Sequence, residues 1–234
     1  MPPTVLVTGA NRGLGLELTR QLLARGDAVI ATCRQPAQAT ALQALGTAHP
    51  GQLRVLALEV GSETARAEFV RALPLALGEG GRLDLLINNA GVLHSGERFG
   101  HVTQAALKES LRVNAIGPFL LTQALAAHLR DGATVANLTS QLGSIARVTR
   151  FGTPSYCAGK AAQNMLGAQL AQALAPRGIV VLQLHPGWVQ TDMGGAQAPL
   201  SVRESAAGLL AVIAAATPAQ SGRFLDWQGQ ELPW

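Results

Sequence analysis

Three observations place the sequence in the doubly wound α/β class, an open parallel sheet with helices on both faces. Seven short apolar runs rich in Val, Leu and Ile recur along the 234 residues. They are continuous and not alternating, which marks strands covered on both sides. Stretches long enough for a helix separate them in strict alternation, and such strand–helix–strand units close right-handed onto a parallel sheet.

The first run, TVLVTG, ends in glycine and leads to a helix over Leu14 to Arg25. DAVIATC follows, with a helix over Ala37 to Leu45, then LRVLALEV with a helix over Glu63 to Leu77. LDLLINNAG precedes the longest helical stretch, Thr103 to Arg130. ATVANLTS leads to Ser155 to Ala175, IVVLQLHPG to Ser201 to Ala216, and RFLDW supplies the seventh strand. No linker, repeat or low-complexity segment divides the chain, so residues 1–234 read as one domain, within the usual single-domain size. The Gly-rich loop TDMGGAQAPLS is the natural lid.

Composition narrows the function. The net charge is +4, but the arginines are scattered singly and aromatics make up only 4%. That excludes a nucleic-acid surface and suits a small phosphorylated anion. The apolar core of SAAGLLAVIAAATPAQSG is too short to span a bilayer and reads as a buried helix, so no membrane partner is expected. The start MPPTVLVTGA lacks an export signal, and Cys33 and Cys157 lack metal or redox spacing. A cytoplasmic protein with free thiols and no metal is expected.

In doubly wound sheets ligands bind beyond the carboxyl ends of the strands. The first strand ends in TGANRGLG, where Gly9, Gly13 and Gly15 let the backbone turn tightly and approach a pyrophosphate on a helix N-terminus. After the second strand, where an acid would receive the ribose 2′-hydroxyl of NAD, stands Arg34. Arg12 in the glycine turn can reach the same region, and two guanidinium forks suit a 2′-phosphate. The expected cofactor is therefore NADP(H) in preference to NAD(H).

Tyr156 is the only tyrosine and Lys160 one of two lysines. Four positions apart on a helix, they project side by side. A phenol becomes a useful acid–base group near neutrality when an adjacent ammonium lowers its pKa, and each tenfold gain in acidity needs about 1.4 kcal/mol.

YCAGK, TGANRGLG, NNAG (Asn88 to Gly91), Asn114, Ser140 and HPGWVQTDM together resemble the short-chain dehydrogenase/reductase family over essentially the whole chain, in the family's order. The resemblance implies a Rossmann fold and a catalytic tetrad of Asn114, Ser140, Tyr156 and Lys160. In it Tyr156 exchanges a proton with the carbonyl or alcohol oxygen, Ser140 donates a hydrogen bond to that oxygen, and Lys160 grips the nicotinamide ribose and lowers the phenol pKa. Asn114 holds a water leading from Lys160 to solvent. The cofactor groove is implied for Gly9, Asn11, Arg12, Gly13, Leu14, Gly15, Arg34, Asn88, Ala90, Gly91, Pro186, Gly187, Val189 and Thr191.

Two departures from the family pattern stand out. Glu59 occupies the place of the usual adenine-binding Asp, leaving that contact to Glu59 or to the Val60 backbone. Ser140 precedes Tyr156 by 16 positions, a few more than usual. With TCRQP and the ending RFLDWQGQELPW, this wider gap looks most like the branch of C-factor and the sniffer-like carbonyl reductases. The extra residues RVTRFGTPS form a loop at the substrate mouth that hinders tetramer packing, so a homodimer is expected, with a tetramer as the alternative. His94, Phe151, Trp188 and Met193 would line the pocket, favouring an apolar or aromatic carbonyl or alcohol. The alternative function is a C-factor-type signalling protein that senses NADP(H).

Overall fold

A computed structural model describes residues 2–234. Seven parallel strands lie in the order β3-β2-β1-β4-β5-β6-β7: β1 (Thr4–Val7), β2 (Ala28–Cys33), β3 (Leu53–Ala57), β4 (Leu83–Asn88), β5 (Leu129–Leu138), β6 (Val180–His185) and β7 (Phe224–Asp226). The order reverses between β1 and β4, which opens a crevice at the carboxyl edge there.

The helices are α1 (Gly13–Ala24), α2 (Thr40–Ala48), α3 (Glu63–Leu77), α4 (Gln104–Leu111), α5 (Gly117–Leu125), α6 (Pro154–Leu174) and α7 (Val202–Ala214). Two apolar cores sandwich the sheet. Leu18, Leu22, Leu42, Leu209 and Ile213 of α1, α2 and α7 pack on Val5, Val29 and Leu182. On the other face Phe69, Leu73, Leu121, Leu125 and Leu170 of α3, α5 and α6 pack on Leu6, Leu86 and Val181. Strands buried on both faces explain why the runs are continuously apolar.

The helix expected over Thr103 to Arg130 is broken in two ways. A π turn, Arg112–Ile116, separates α4 from α5. The helical path then ends in a 3₁₀ turn, Ala126–His128, because β5 reaches back to a buried Leu129 that pairs with Leu83. Gly132, at φ 78°, lies where this pairing shifts register between Leu83 and Leu85, so LRDG, expected partly in the helix, runs within β5. Among the described residues no helix is long and apolar enough to cross a membrane.

Beneath the site, a row of amides crosses three neighbouring strands. Asn88 Nδ2 donates to Asn137 Oδ1 (2.8 Å), and Asn137 Nδ2 to Gln183 Oε1 (3.0 Å). In-register parallel pairing brings these residues side by side, and each satisfied bond offsets the desolvation of a buried amide.

Candidate active site

After β1, Gly9 (φ +64°) and Gly13 (φ +52°) take left-handed backbone. A Cβ on Gly9 would stand 2.9 Å from the Ala90 Cα, and one on Gly15 would collide with Asn89 Nδ2 and the Gly9 carbonyl. Asn89 causes this crowding: its Nδ2 donates to the carbonyls of Thr8 (2.8 Å) and Gly9 (3.0 Å), tying the glycine turn to the end of β4. Behind the turn α1 starts with no side-chain cap and no acid in its first turn, so its amide dipoles face the crevice unneutralised. A cradle of this kind fits a pyrophosphate.

At the end of β2, Asn11, Arg34, Gln35, Gln38 and Ala39 line a polar recess of about 160 Å³. Arg34 is 75% exposed there, with Glu59 3.7 Å from its Nε. A recess of amide donors around an exposed, loosely paired guanidinium fits a 2′-phosphate. Arg12 does not join Arg34: its Nη1 binds Asp192 Oδ2 at 2.5 Å, bridging the glycine turn to the loop after β6. Thr191 lies in that loop, and its Cγ2 is 3.4 Å from where a Cβ of Gly13 would be. Glu59 also accepts from the Gly61 N–H (3.3 Å), and the Val60 carbonyl accepts from Arg66 Nη1 (2.7 Å), which commits that carbonyl to α3.

Asn88 is corrected in position. It is buried, bound to Asn137 and to Thr122 Oγ1 (3.1 Å), and stands behind the crevice instead of lining it. Its neighbour Asn89 meets the glycine turn.

Asn114, Ser140, Tyr156 and Lys160 are all buried. Ser140 leaves β5, with its Oγ accepting from the Leu142 N–H (3.1 Å) and facing the Tyr156 hydroxyl. Thr139 Oγ1 is turned to the Lys160 carbonyl (3.5 Å), and Ser144 Oγ is buried without a partner. Tyr156 and Lys160 lie on α6, with the Lys160 Nζ 5.6 Å from the ring centroid. Nζ donates to the Leu138 carbonyl (2.7 Å) and to Gln163 Oε1 (2.9 Å).

The electrostatics differ from the expectation of an acidified phenol. In the protein alone, burial pushes Tyr156 up to about 12; Ser140 lowers it and Cys157 raises it further. Burial also pushes Lys160 down to about 7. The Lys160 amine lies over the ring, engaged with two carbonyl oxygens, and desolvation sets the direction at both groups.

Asn114 sits in the π turn, a frequent mark of functional sites. Its Oδ1 accepts from the Val92 N–H (2.8 Å), while its Nδ2 donates to the Val92 carbonyl (2.9 Å) and Ser110 Oγ (3.0 Å). The donors expected to hold a water are thus spent on clamping the segment after β4. A free lone pair of Oδ1 faces Gly91, where a Cβ would lie 3.1 Å away.

Beyond the crevice, Pro186 takes a hydrogen bond from Ser205 (2.6 Å) and Val189 is buried. Gly187 (φ +84°) has Leu200 and Trp227 packed where a side chain would go. The four residues expected in the substrate pocket lie on three segments. Phe151 packs edge-on against Phe99 (5.8 Å), Trp188 Nε1 donates to the Gly194 carbonyl (2.8 Å), Met193 is exposed and His94 Nε2 is buried without a partner. A larger recess of about 550 Å³ between α1, α2 and Val202 is apolar apart from the Glu17–Arg20 pair and meets the site only at Gly13.

The family pattern for a short chain dehydrogenase matches residues 3–199. The chain belongs to that family. C-signal of Myxococcus xanthus is 46% identical over 156 residues, 66% of this chain and 94% of that protein. The NADPH-bound carbonyl reductase from chicken fatty liver is 36% identical with a TM-score of 0.94, covering 100% of this chain and 99% of that one. Carbonyl reductase Sniffer of D. melanogaster is 31% identical, also at a TM-score of 0.94, with each chain covered fully (100%).

In this short chain dehydrogenase three residues beside the tetrad escaped the sequence reading. Asn89 laces the glycine turn. Gln163, one turn beyond Lys160, holds its amine. Glu97 Oε2 accepts from the N–H (3.2 Å) and Oγ (2.9 Å) of Ser155, capping α6 from the segment after β4. The signals were a Gln and a Glu in otherwise uncommitted positions, which spacing alone does not interpret.

Proposed function

We propose that this short chain dehydrogenase is an NADPH-dependent carbonyl reductase that interconverts apolar or aromatic carbonyls and their alcohols. The observation that carries this reading is the Tyr156 hydroxyl facing Ser140 at the end of β5, with the Lys160 amine beside the same ring. Gly9, Asn11, Gly13, Leu14 and Gly15 would hold the pyrophosphate, and Arg34 the 2′-phosphate. Ala90 and Gly91 would line the groove, and Pro186, Gly187, Val189 and Thr191 the nicotinamide end. NADPH, when bound, supplies a hydride to the carbonyl carbon. Tyr156, protonated at neutral pH, gives its proton to the carbonyl oxygen, which Ser140 also meets with its hydroxyl. Oxidation needs the phenolate, so that direction gains as pH rises.

NADPH oxidation against a panel of ketones, quinones and aldehydes tests this directly. Tyr156→Phe should lower turnover by about 10²- to 10⁴-fold while NADPH binding, followed by fluorescence, stays within a few-fold. Undiminished turnover in that variant would defeat the assignment.

A second reading, NADP(H)-sensing signalling, is favoured by the 46% identity to C-signal. A sensor would keep its biological activity in Tyr156→Phe, whereas a reductase acting through its product would not. The unpaired cysteines and unclustered arginines support a cytoplasmic protein without nucleic-acid or membrane partners. The loop from Arg147 to Ser155 beside α6 supports a homodimer over a tetramer, which light scattering would decide.

A further inference from the structure

Lys160 is 3% exposed, and a buried ammonium needs an acceptor for each of its three N–H groups. The Leu138 carbonyl and Gln163 Oε1 provide two. On another side lies Gly91, where a Cβ would stand 3.8 Å from Nζ, so glycine keeps that approach open. Gln163 is itself buried, and its oxygen has no other partner than the amine.

We propose that Gln163 is a positioning residue that holds the Lys160 amine against β5 with an uncharged acceptor, leaving the remaining side of Nζ turned to the crevice with no counter-ion beside it. This rests on the reductase reading for what the charge serves, but not for the contact itself. The choice of amide has a chemical logic. A leucine of similar size would fill the same space yet leave Nζ one acceptor short. A glutamate would hold Nζ equally well but would set a carboxylate beside it, raising its pKa and cancelling its charge toward an anionic dinucleotide.

The surroundings of Nζ contain little else that could set its ionisation. Burial is the one cause that moves Lys160, with no charged neighbour contributing, and the titratable group facing it is Tyr156. From β5 comes a carbonyl, and from the π turn the neutral Asn114, whose Oδ1 shares the space beside Gly91 with Nζ. Changes at position 163 should therefore register directly on the amine.

The chain has only two lysines, and Lys108 is exposed on α4. Carbon-13 labelling of lysine thus gives two side-chain signals, one of them an internal reference. The Lys160 titration should move down by about one pH unit in Gln163→Leu and up by at least as much in Gln163→Glu, with Lys108 unmoved in both. Kinetically, Gln163→Leu should lower kcat and raise the KM for NADPH together, and Gln163→Met, equally apolar, should not restore either. If Gln163→Leu is poorly folded by circular dichroism, Gln163→Glu alone decides through the sign of its shift. An unmoved Lys160 titration in a folded Gln163→Glu protein overturns the proposal. Because the titration needs neither cofactor nor substrate, a failed reductase assay and a failed positioning role are separate outcomes.

Discussion

At Tyr156, burial and hydrogen bonding pull in opposite directions, and burial wins. The result is a phenol kept protonated at neutral pH, suited to giving a proton. Arg34 presents a different balance: it is exposed, loosely held by Glu59 at 3.7 Å, and free to turn to a better anion. Arg34→Asp should lower the NADPH-to-NADH ratio of kcat/KM by about ten- to a hundredfold, the effect of losing a charged hydrogen bond worth about 1.5–3 kcal/mol. An unchanged ratio would remove the 2′-phosphate from this recess. Single residues were legible in the sequence where chemistry alone identifies them, as with Tyr156 and Lys160. Asn88 and Asn89 were not separable, because only the fold shows that β4 ends at Asn88, beside Asn137 of β5, and that Asn89 just past it reaches the end of β1.

The helices repeat this pattern one level up. Helices α1, α3 and α6 begin and end within a residue of expectation, whereas α2 runs over Thr40–Ala48 and not Ala37 to Leu45, because a 3₁₀ turn at Pro36–Gln38 precedes it. Start signals are plain at α3 and α7, where Ser62 and Ser201 cap their helices. At α6 the start is not local. Thr153 lies in left-handed backbone (φ 41°) and gives no side-chain cap, and the missing acceptor is Glu97, 58 residues earlier. Glu97→Ala should reduce stability by about 1 kcal/mol, a typical value for a lost cap, and speed hydrogen exchange at the Ser155 and Tyr156 amides. Equal melting curves and equal exchange would leave Glu97 without this role. The Thr103 to Arg130 stretch was illegible for the same reason: its break and its end depend on Val92 and Leu83, which lie far off along the chain.

For the molecule as a whole, the seven-stranded parallel sheet with helices on both faces followed from alternation, because right-handed crossovers leave few other arrangements, while the strand order and the crevice between β1 and β4 came from the structure. The buried titratable groups also shape stability as a whole. Lys160 sits at about 7 in the folded chain against an ordinary 10.5, so between those values only the unfolded chain holds the proton. Folding stability therefore rises with pH from about 7 to 10.5 on account of this group, and the gain is lost again as pH falls back to 7. His185, lowered by burial from 6.5 to about 4, acts in the same sense across its own lower window. Tyr156, raised from 10 to about 12, is protonated in both states below pH 10; above that only the unfolded chain ionises, so this group makes stability fall as pH rises from 10 to 12. Urea midpoints should rise between pH 7 and 9.5 in the wild type and stay nearly flat in Lys160→Met, while both proteins gain stability from pH 4 to 6.5. Parallel slopes across the upper range would mean that the amine is not buried as described.

The π turn between α4 and α5 can also be read as a surplus. A widened turn of this kind carries one residue more than a regular helix over the same rise, while the helices on either side stay in phase. Asn114 belongs to that surplus. Removing a residue from the middle of a helix ordinarily scrambles every face beyond the cut, but here it would let Gln104–Leu111 and Gly117–Leu125 run on as one regular rod with the same sides inward. The protein thus holds the clamp between Val92 and Ser110 as an addition to a helix that would otherwise run straight.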